Sequence, residues 1–341
     1  MSPQPHPGVR EIALYPAAAP DHSSVIELSQ NESPFGPSPK AVEALKASAA
    51  MLHRYPDGSA TVLREAIARR HGLDAARIVC GSASDSLIIL VIQAYAGFGD
   101  EVIYPQYSFL FYRDMINARG ATPVSVPERD YRVDVDALIA RAGPRTKICM
   151  LANPANPTGT YVTGAELKRL REGLPPHVLL VVDAAYAEYV AAPDYSTGQD
   201  LPDTVMLRTF SKIYGLAGLR IGWAYCPAEV ADVLNRVRSP YNVSTAAAAA
   251  GAAAIDDVEF VRMSREHNLR WHARLKAELG LPFIPSVANF VLVKAPPGTA
   301  AKLAGRGIRV RPVAAYGLAD YVRITIGTDA EMERLLAELK R

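Results

Sequence analysis

Cysteine is scarce. The chain of 341 residues has three, Cys80, Cys149 and Cys226, far apart and without a CxxC pair. An odd, scattered set offers no disulfide framework and reads as reduced thiols filling the core of a cytoplasmic protein. Long apolar runs are missing too. The longest, residues 246–255, is mostly alanine and is interrupted by Gly251; it is about half of the ~20 residues that a membrane span needs. The start is polar and proline-rich, with no basic segment leading into an apolar one, so no signal peptide is expected. Charge of one sign is also lacking: 37 basic against 35 acidic residues leave +2. That balance argues against nucleic acid or an acidic membrane as a partner. Gly215, Gly218 and Gly222 do not make GxGxxG, no Walker lysine follows a glycine-rich loop, and no histidine pair has zinc spacing. No metal is expected, and the seven histidines, His6, His177 and His267 among them, read as surface residues.

What is present is an ordinary globular composition, 49% hydrophobic and 21% charged, in a chain long enough for two packed domains of ~100–200 residues each. Residues 1–37 are rich in proline and weak in periodicity, and read as an N-terminal arm. Val42, Leu45, Ala49 and Leu52 then space an amphipathic helix from Pro39 to the turn Tyr55-Pro56-Asp57-Gly58, and residues 61–71 form a second helix stopped by Gly72. Beyond it, short apolar runs alternate with helical stretches. The runs at residues 147–151, 178–182 and 205–208 show little alternation, which suits parallel strands covered on both faces. The expectation is a large α/β domain with a mainly parallel sheet over residues 38–245. A smaller α+β domain is expected over 246–341, completed by the arm. It opens with a long helix at about 246–279, broken near Asp256, and continues into strands near 290–293, 308–311 and 321–326.

Open parallel sheets bind ligands beyond the carboxyl ends of their strands. The residues that follow the strands here are Gly81-Ser82-Ala83-Ser84-Asp85, Tyr107, Asn153 to Gly159, Asp183-Ala184-Ala185-Tyr186 and Ser211-Lys212. They are polar, aromatic and charged where the strands before them are not.

The same segments carry a resemblance. Asn31-Glu32-Ser33-Pro34-Phe35-Gly36-Pro37, Asn156-Pro157-Thr158-Gly159, the run Thr209-Phe210-Ser211-Lys212-Ile213-Tyr214-Gly215-Leu216-Ala217-Gly218-Leu219-Arg220-Ile221-Gly222 and Arg323-Ile324-Thr325-Ile326-Gly327-Thr328 follow one another in order. In these the chain resembles the fold-type I aminotransferases, enzymes dependent on pyridoxal 5′-phosphate, and within them the histidinol-phosphate aminotransferase branch. The likeness spans nearly the whole chain.

The resemblance implies roles. Lys212, by itself an ordinary surface charge, becomes the amine that holds the cofactor aldehyde as a Schiff base and shuttles protons, a task that burial beside cations would suit. Asp183, otherwise a helix cap, faces the pyridine nitrogen and favours its protonated form. Asn156 and Tyr186 donate to the ring oxygen, and Tyr107 stacks on the ring. Ser211, Arg220 and the backbone of Ala83, Ser84 and Asp85 at a helix start take the phosphate, joined by Tyr55 from the neighbour in a homodimer. Arg323 and Arg311 meet the anionic ends of the substrates, with Tyr15 on a substrate phosphate.

Relatives usually carry glycine at position 83, glutamate at 86 and asparagine at 155, where this chain has Ala83, Ser86 and Ala155. Alanine is awkward wherever φ is positive. The implied function is an aminotransferase between a small-molecule amine and 2-oxoglutarate or glutamate, with histidinol phosphate, in histidine biosynthesis, as the leading donor. An aromatic amino acid aminotransferase, a threonine-phosphate decarboxylase and a cofactor-binding regulatory module are the alternatives.

Overall fold

The structure, a computed structural model, describes residues 3–14 and 25–340. Tyr15 lies outside the described residues. Twelve strands among these form two sheets: β1 (Ile26–Leu28), β2 (Ile78–Gly81), β3 (Glu101–Pro105), β4 (Thr122–Val126), β5 (Thr146–Ala152), β6 (Leu179–Asp183), β7 (Thr204–Thr209), β8 (Gly222–Tyr225), β9 (Phe283–Ile284), β10 (Phe290–Lys294), β11 (Ile308–Pro312) and β12 (Tyr321–Thr325).

The larger sheet has the order β2-β8-β7-β6-β5-β3-β4. From β4 to β7 the strands are parallel, whereas β8 is antiparallel to both its neighbours. The apolar runs form its centre because both their faces are covered. Ile148 and Met150 share a core with Leu87 and Leu234, while the alternate residues Cys149 and Leu151 pack with Leu138 and Leu167 on the other side. Two strands of this sheet escape the sequence reading. β8 is four residues long and hidden inside a motif, and β4 is a half-buried edge strand carrying Pro123.

The smaller sheet has the order β1-β11-β12-β10-β9. Its first strand comes from the arm: Ile26, Glu27 and Leu28 lie parallel to Ile308, Arg309 and Val310. Leu28 then joins Trp271, Leu275, Val291 and Ile324 in one core.

The long helix breaks at Asp256, as expected, into Thr245–Ile255 and Val258–Glu278. Ala247, Ala250 and Ala254 of the first pack with Leu63, Phe210 and Ile221, so this helix lies with the larger sheet. The helix expected to open the smaller domain thus shares its core with residues around the larger sheet. A face of alanines lets the helix approach closely, and the chain crosses to the smaller sheet only at Asp256 and Asp257. His267 also departs from expectation: it is 4% exposed. Its Nε2 lies 2.8 Å from the Gly327 carbonyl and its ring meets Phe35 edge-on, so the imidazole fills a junction between segments. The three cysteines are buried and free. No helix among the described residues is long and apolar enough to cross a membrane.

Candidate active site

Lys212 follows β7 in a loop drawn against the arm. Gly215, with φ +67°, lets this loop meet the Gly36 carbonyl where a side chain would collide. The Asn31–Pro37 and Thr209–Gly222 segments, far apart in sequence, thus touch. The half-buried Lys212 donates from Nζ to the Gln30 carbonyl at 3.1 Å. Burial, with Arg323 and Arg220 adding repulsion and Glu32 and Asp183 opposing it, pushes its pKa down to about 8. Ser211 is held beside it, its backbone N–H donating to Thr209 Oγ1 at 3.1 Å.

Asp183 ends β6 and is buried. Tyr112 donates its hydroxyl to Oδ2 at 2.7 Å and the Ala185 N–H donates to Oδ1 at 3.2 Å. Burial nonetheless raises the carboxyl to about 6, against the pull of those hydrogen bonds and of Lys212. Tyr186 stands behind it, its hydroxyl accepting from Asn31 Nδ2 at 2.8 Å and its phenol pushed up to about 12 by burial. Lys212 Nζ lies 5.9 Å from the Tyr186 ring centre.

Arg323 reaches this group from β12. It donates to Asn156 Oδ1 and to the Ser29 carbonyl, both at 2.6 Å, with its guanidinium 5.3 Å from the Phe290 ring centre. Its cross-strand partner on β11 is Arg311, which donates to Gln30 Oε1 at 3.1 Å. Asn153, three residues before Asn156, serves the loop instead, bonding the backbone of Val162 at 3.0 and 3.1 Å.

The residues expected at the phosphate lie at the start of the helix Ala83–Tyr95. Ala83 has φ +74°, the conformation that its side chain makes awkward. The β8 backbone presses on the same point: a Cβ on Gly222 would lie 2.5 Å from the Ser84 nitrogen. Arg220, itself at φ +51°, pairs with Asp85 at 2.8 Å. Ser86 returns its hydroxyl to the Ala83 carbonyl at 2.9 Å, and Ala155 bonds through its backbone alone to Gly159 and Thr160, each at 2.8 Å.

Lys212, Asp183, Tyr186, Asn156, Arg323, Arg220 and Ser211 are thus gathered in one region, with Tyr107 on the β3 side. Tyr55 is not brought in: it is 84% exposed and stacks on Tyr241 with ring centres 4.8 Å apart. Three participants were not picked out from the sequence. Tyr112 and Asn31 hold Asp183 and Tyr186, and Gln30 bridges Lys212 and Arg311. Asn31 lies within a motif and could have been noticed; Tyr112 gives no local signal.

Comparison with known proteins identifies the family. The family model for aminotransferase class I and II matches residues 23–339. The histidinol-phosphate aminotransferase of Rhodospirillum centenum is 53% identical, over 98% of this chain and 96% of that protein. The crystal structure of histidinol-phosphate aminotransferase from Sinorhizobium meliloti in complex with pyridoxal-5′-phosphate superposes with a TM-score of 0.89 at 29% identity, covering 98% and 95% of the two chains. The aspartate aminotransferase of Thermus thermophilus with maleate gives 0.83 at 25% identity, covering 92% and 91%. With its strands, its lysine and its two arginines set in this arrangement, the chain belongs to the class I and II aminotransferases.

Proposed function

We propose that the chain is a pyridoxal-phosphate-dependent aminotransferase that moves the amino group of histidinol phosphate to 2-oxoglutarate. The observation that carries the substrate choice is the pairing of Arg311 with Arg323 across β11 and β12, with Gln30 bridging Arg311 to Lys212. Two guanidiniums side by side suit substrates with an anionic group far from the reacting amine: the phosphate of histidinol phosphate, or the carboxylates of glutamate. The naming of the R. centenum relative supports the same donor.

The residues present fit the cofactor. An amine whose pKa is lowered to about 8, a buried carboxylate and a glycine-cleared helix start are the partners that an aldehyde, a ring nitrogen and a phosphate need. When bound, pyridoxal phosphate supplies an aldehyde and an electron-accepting ring. Asp183, kept in place by Tyr112, would face the ring nitrogen and favour its protonated form. Asn156 and Tyr186 would donate to the ring oxygen, and Tyr107 would cover the ring. The Ala83, Ser84 and Asp85 backbone, Ser211 and Arg220 hold the phosphate. Lys212 would anchor the group and, once free, would take the proton from the donor's Cα, a task favoured by the burial and the neighbouring Arg323 and Arg220 that lower its pKa.

The chain acts as a homodimer in the cytoplasm. Tyr55 and Tyr241, stacked and exposed, are the surface through which a neighbour's site would be completed. The unit built on the larger sheet runs from residue 38 to Ile255, and the smaller one takes the arm and the rest. The test is a donor panel with 2-oxoglutarate: histidinol phosphate, phenylalanine, tyrosine and threonine phosphate. The fastest turnover is expected with the first, and essentially none with any donor in Lys212→Ala. Preference for phenylalanine or tyrosine would replace the donor, and full activity in Lys212→Ala would overturn the chemistry.

A further inference from the structure

The turn at residues 129–132 touches three parts of the site. Arg129 and Arg132 exchange both backbone hydrogen bonds, at 3.0 and 2.9 Å, and close a two-residue turn over Asp130 and Tyr131. Both central residues have positive φ, 51° and 61°. Turns of this kind favour Asn-Gly, and a bulky residue at the second position is strained. Such strain persists where the surroundings over-determine it.

Tyr131 has those surroundings. Its carbonyl accepts from Thr160 Oγ1 at 2.8 Å, at the end of the loop that carries Asn156. Its ring lies 5.7 Å from that of Tyr107. Its hydroxyl is 2.8 Å from the hydroxyl of Tyr321. Glu128, at the head of the same turn, accepts the Tyr107 backbone N–H at 2.9 Å. Tyr321 and Arg323 stand two apart on β12 and so share a face of the strand. The hydroxyl pair therefore ties the strand that bears Arg323 to the segments that bear Tyr107 and Asn156.

We propose that Tyr131 is a positioning residue, and that its hydroxyl bond to Tyr321 sets the placement of Arg323 and so the affinity for the carboxylate end of the substrate. This rests on the reading of Arg323 as the carboxylate contact. No local advantage of turn chemistry places a tyrosine at φ 61°; the contacts to three segments do.

The experiment uses the holoenzyme and maleate as a dicarboxylate probe, in Tyr131→Phe, Tyr321→Phe and the double variant. Each single change keeps the ring and removes one hydroxyl. Maleate affinity should fall about 3- to 10-fold, the scale of one net hydrogen bond. KM for 2-oxoglutarate should rise similarly, with kcat within about twofold and the cofactor absorbance and Tm unchanged. The double variant should be no weaker than either single, because both remove the same bond. Wild-type maleate affinity in Tyr131→Phe, with or without a fall in Tm, would overturn the proposal, as would losses that add in the double variant. A wild-type enzyme that neither binds maleate nor turns over 2-oxoglutarate would instead remove the reading of Arg323 beneath it.

Discussion

Arg311 and Arg323 face each other directly across the antiparallel pair β11–β12, two cations in register on one face of the smaller sheet. Like charges opposed in this way destabilise a sheet, and here each is met by oxygens, from Gln30 for Arg311 and from Asn156 and Ser29 for Arg323. The arrangement favours an anion. Hydrogen bonds to charged groups contribute ~1.5–3 kcal/mol each, so Arg311→Ala should lower kcat/KM for histidinol phosphate roughly 10- to 200-fold. A neutral aromatic donor should lose far less, and Arg311→Lys should recover only part, since an ammonium keeps the charge without the fork. Equal losses for phosphorylated and aromatic donors would count against a phosphate at Arg311.

Asp183 makes the stability of the cofactor-free protein depend on pH. Burial raises its carboxyl from 3.8 to about 6. Between those values the folded protein keeps a proton that the unfolded chain has released, so this group's contribution falls as pH rises and is at its least favourable above about 6. Asp183→Asn should therefore raise the Tm of the cofactor-free protein at pH 7, with the gain fading towards pH 4. The same substitution should weaken cofactor binding, because a neutral amide brings no charge to balance a protonated ring nitrogen. A Tm difference that stays flat from pH 4 to pH 7 would contradict this account of the group.

Ala83 holds φ +74° at the helix start proposed for the phosphate. Left-handed backbone costs an L-residue roughly 1–2 kcal/mol and a β-branched one more. Ala83→Gly should leave stability and cofactor affinity unchanged or improved. Ala83→Val should unfold at lower urea, by at least ~1 kcal/mol, and bind the cofactor more weakly. Equal behaviour of Gly and Val variants would show that the backbone there is not constrained.

Tyr55 lies exposed on Tyr241 and makes no contact with Lys212 in its own chain. If it serves the partner's cofactor phosphate, Tyr55→Ala and Lys212→Ala are each impaired, and mixing them under subunit exchange restores activity, since a hybrid dimer has one complete site. The measurement is turnover before and after exchange, followed by mass spectrometry of intact dimers. Proven hybrids without recovered turnover would remove Tyr55 from the site.

The sequence by itself determined the layered α/β sheet and pointed to the residues proposed for the site. Continuous apolar runs require strands covered on both sides, and polar residues at their ends, Asp183 after one run and Lys212 after another, stand where a parallel sheet exposes its ligand-binding edge. The tertiary structure alone decided what those residues touch. Asp183 meets Tyr112 across 71 positions, Tyr186 meets Asn31 across 155, and Tyr131 meets Tyr321 across 190. Periodicity reports that one side of a helix or strand is buried, not against which partner, so it could not show that the alanine helix Thr245–Ile255 packs on Leu63 and Phe210, and it left His267 on the surface. Positive φ at Ala83 and Tyr131 was equally out of reach, because such backbone is held by contacts from distant segments and not by the residues that adopt it.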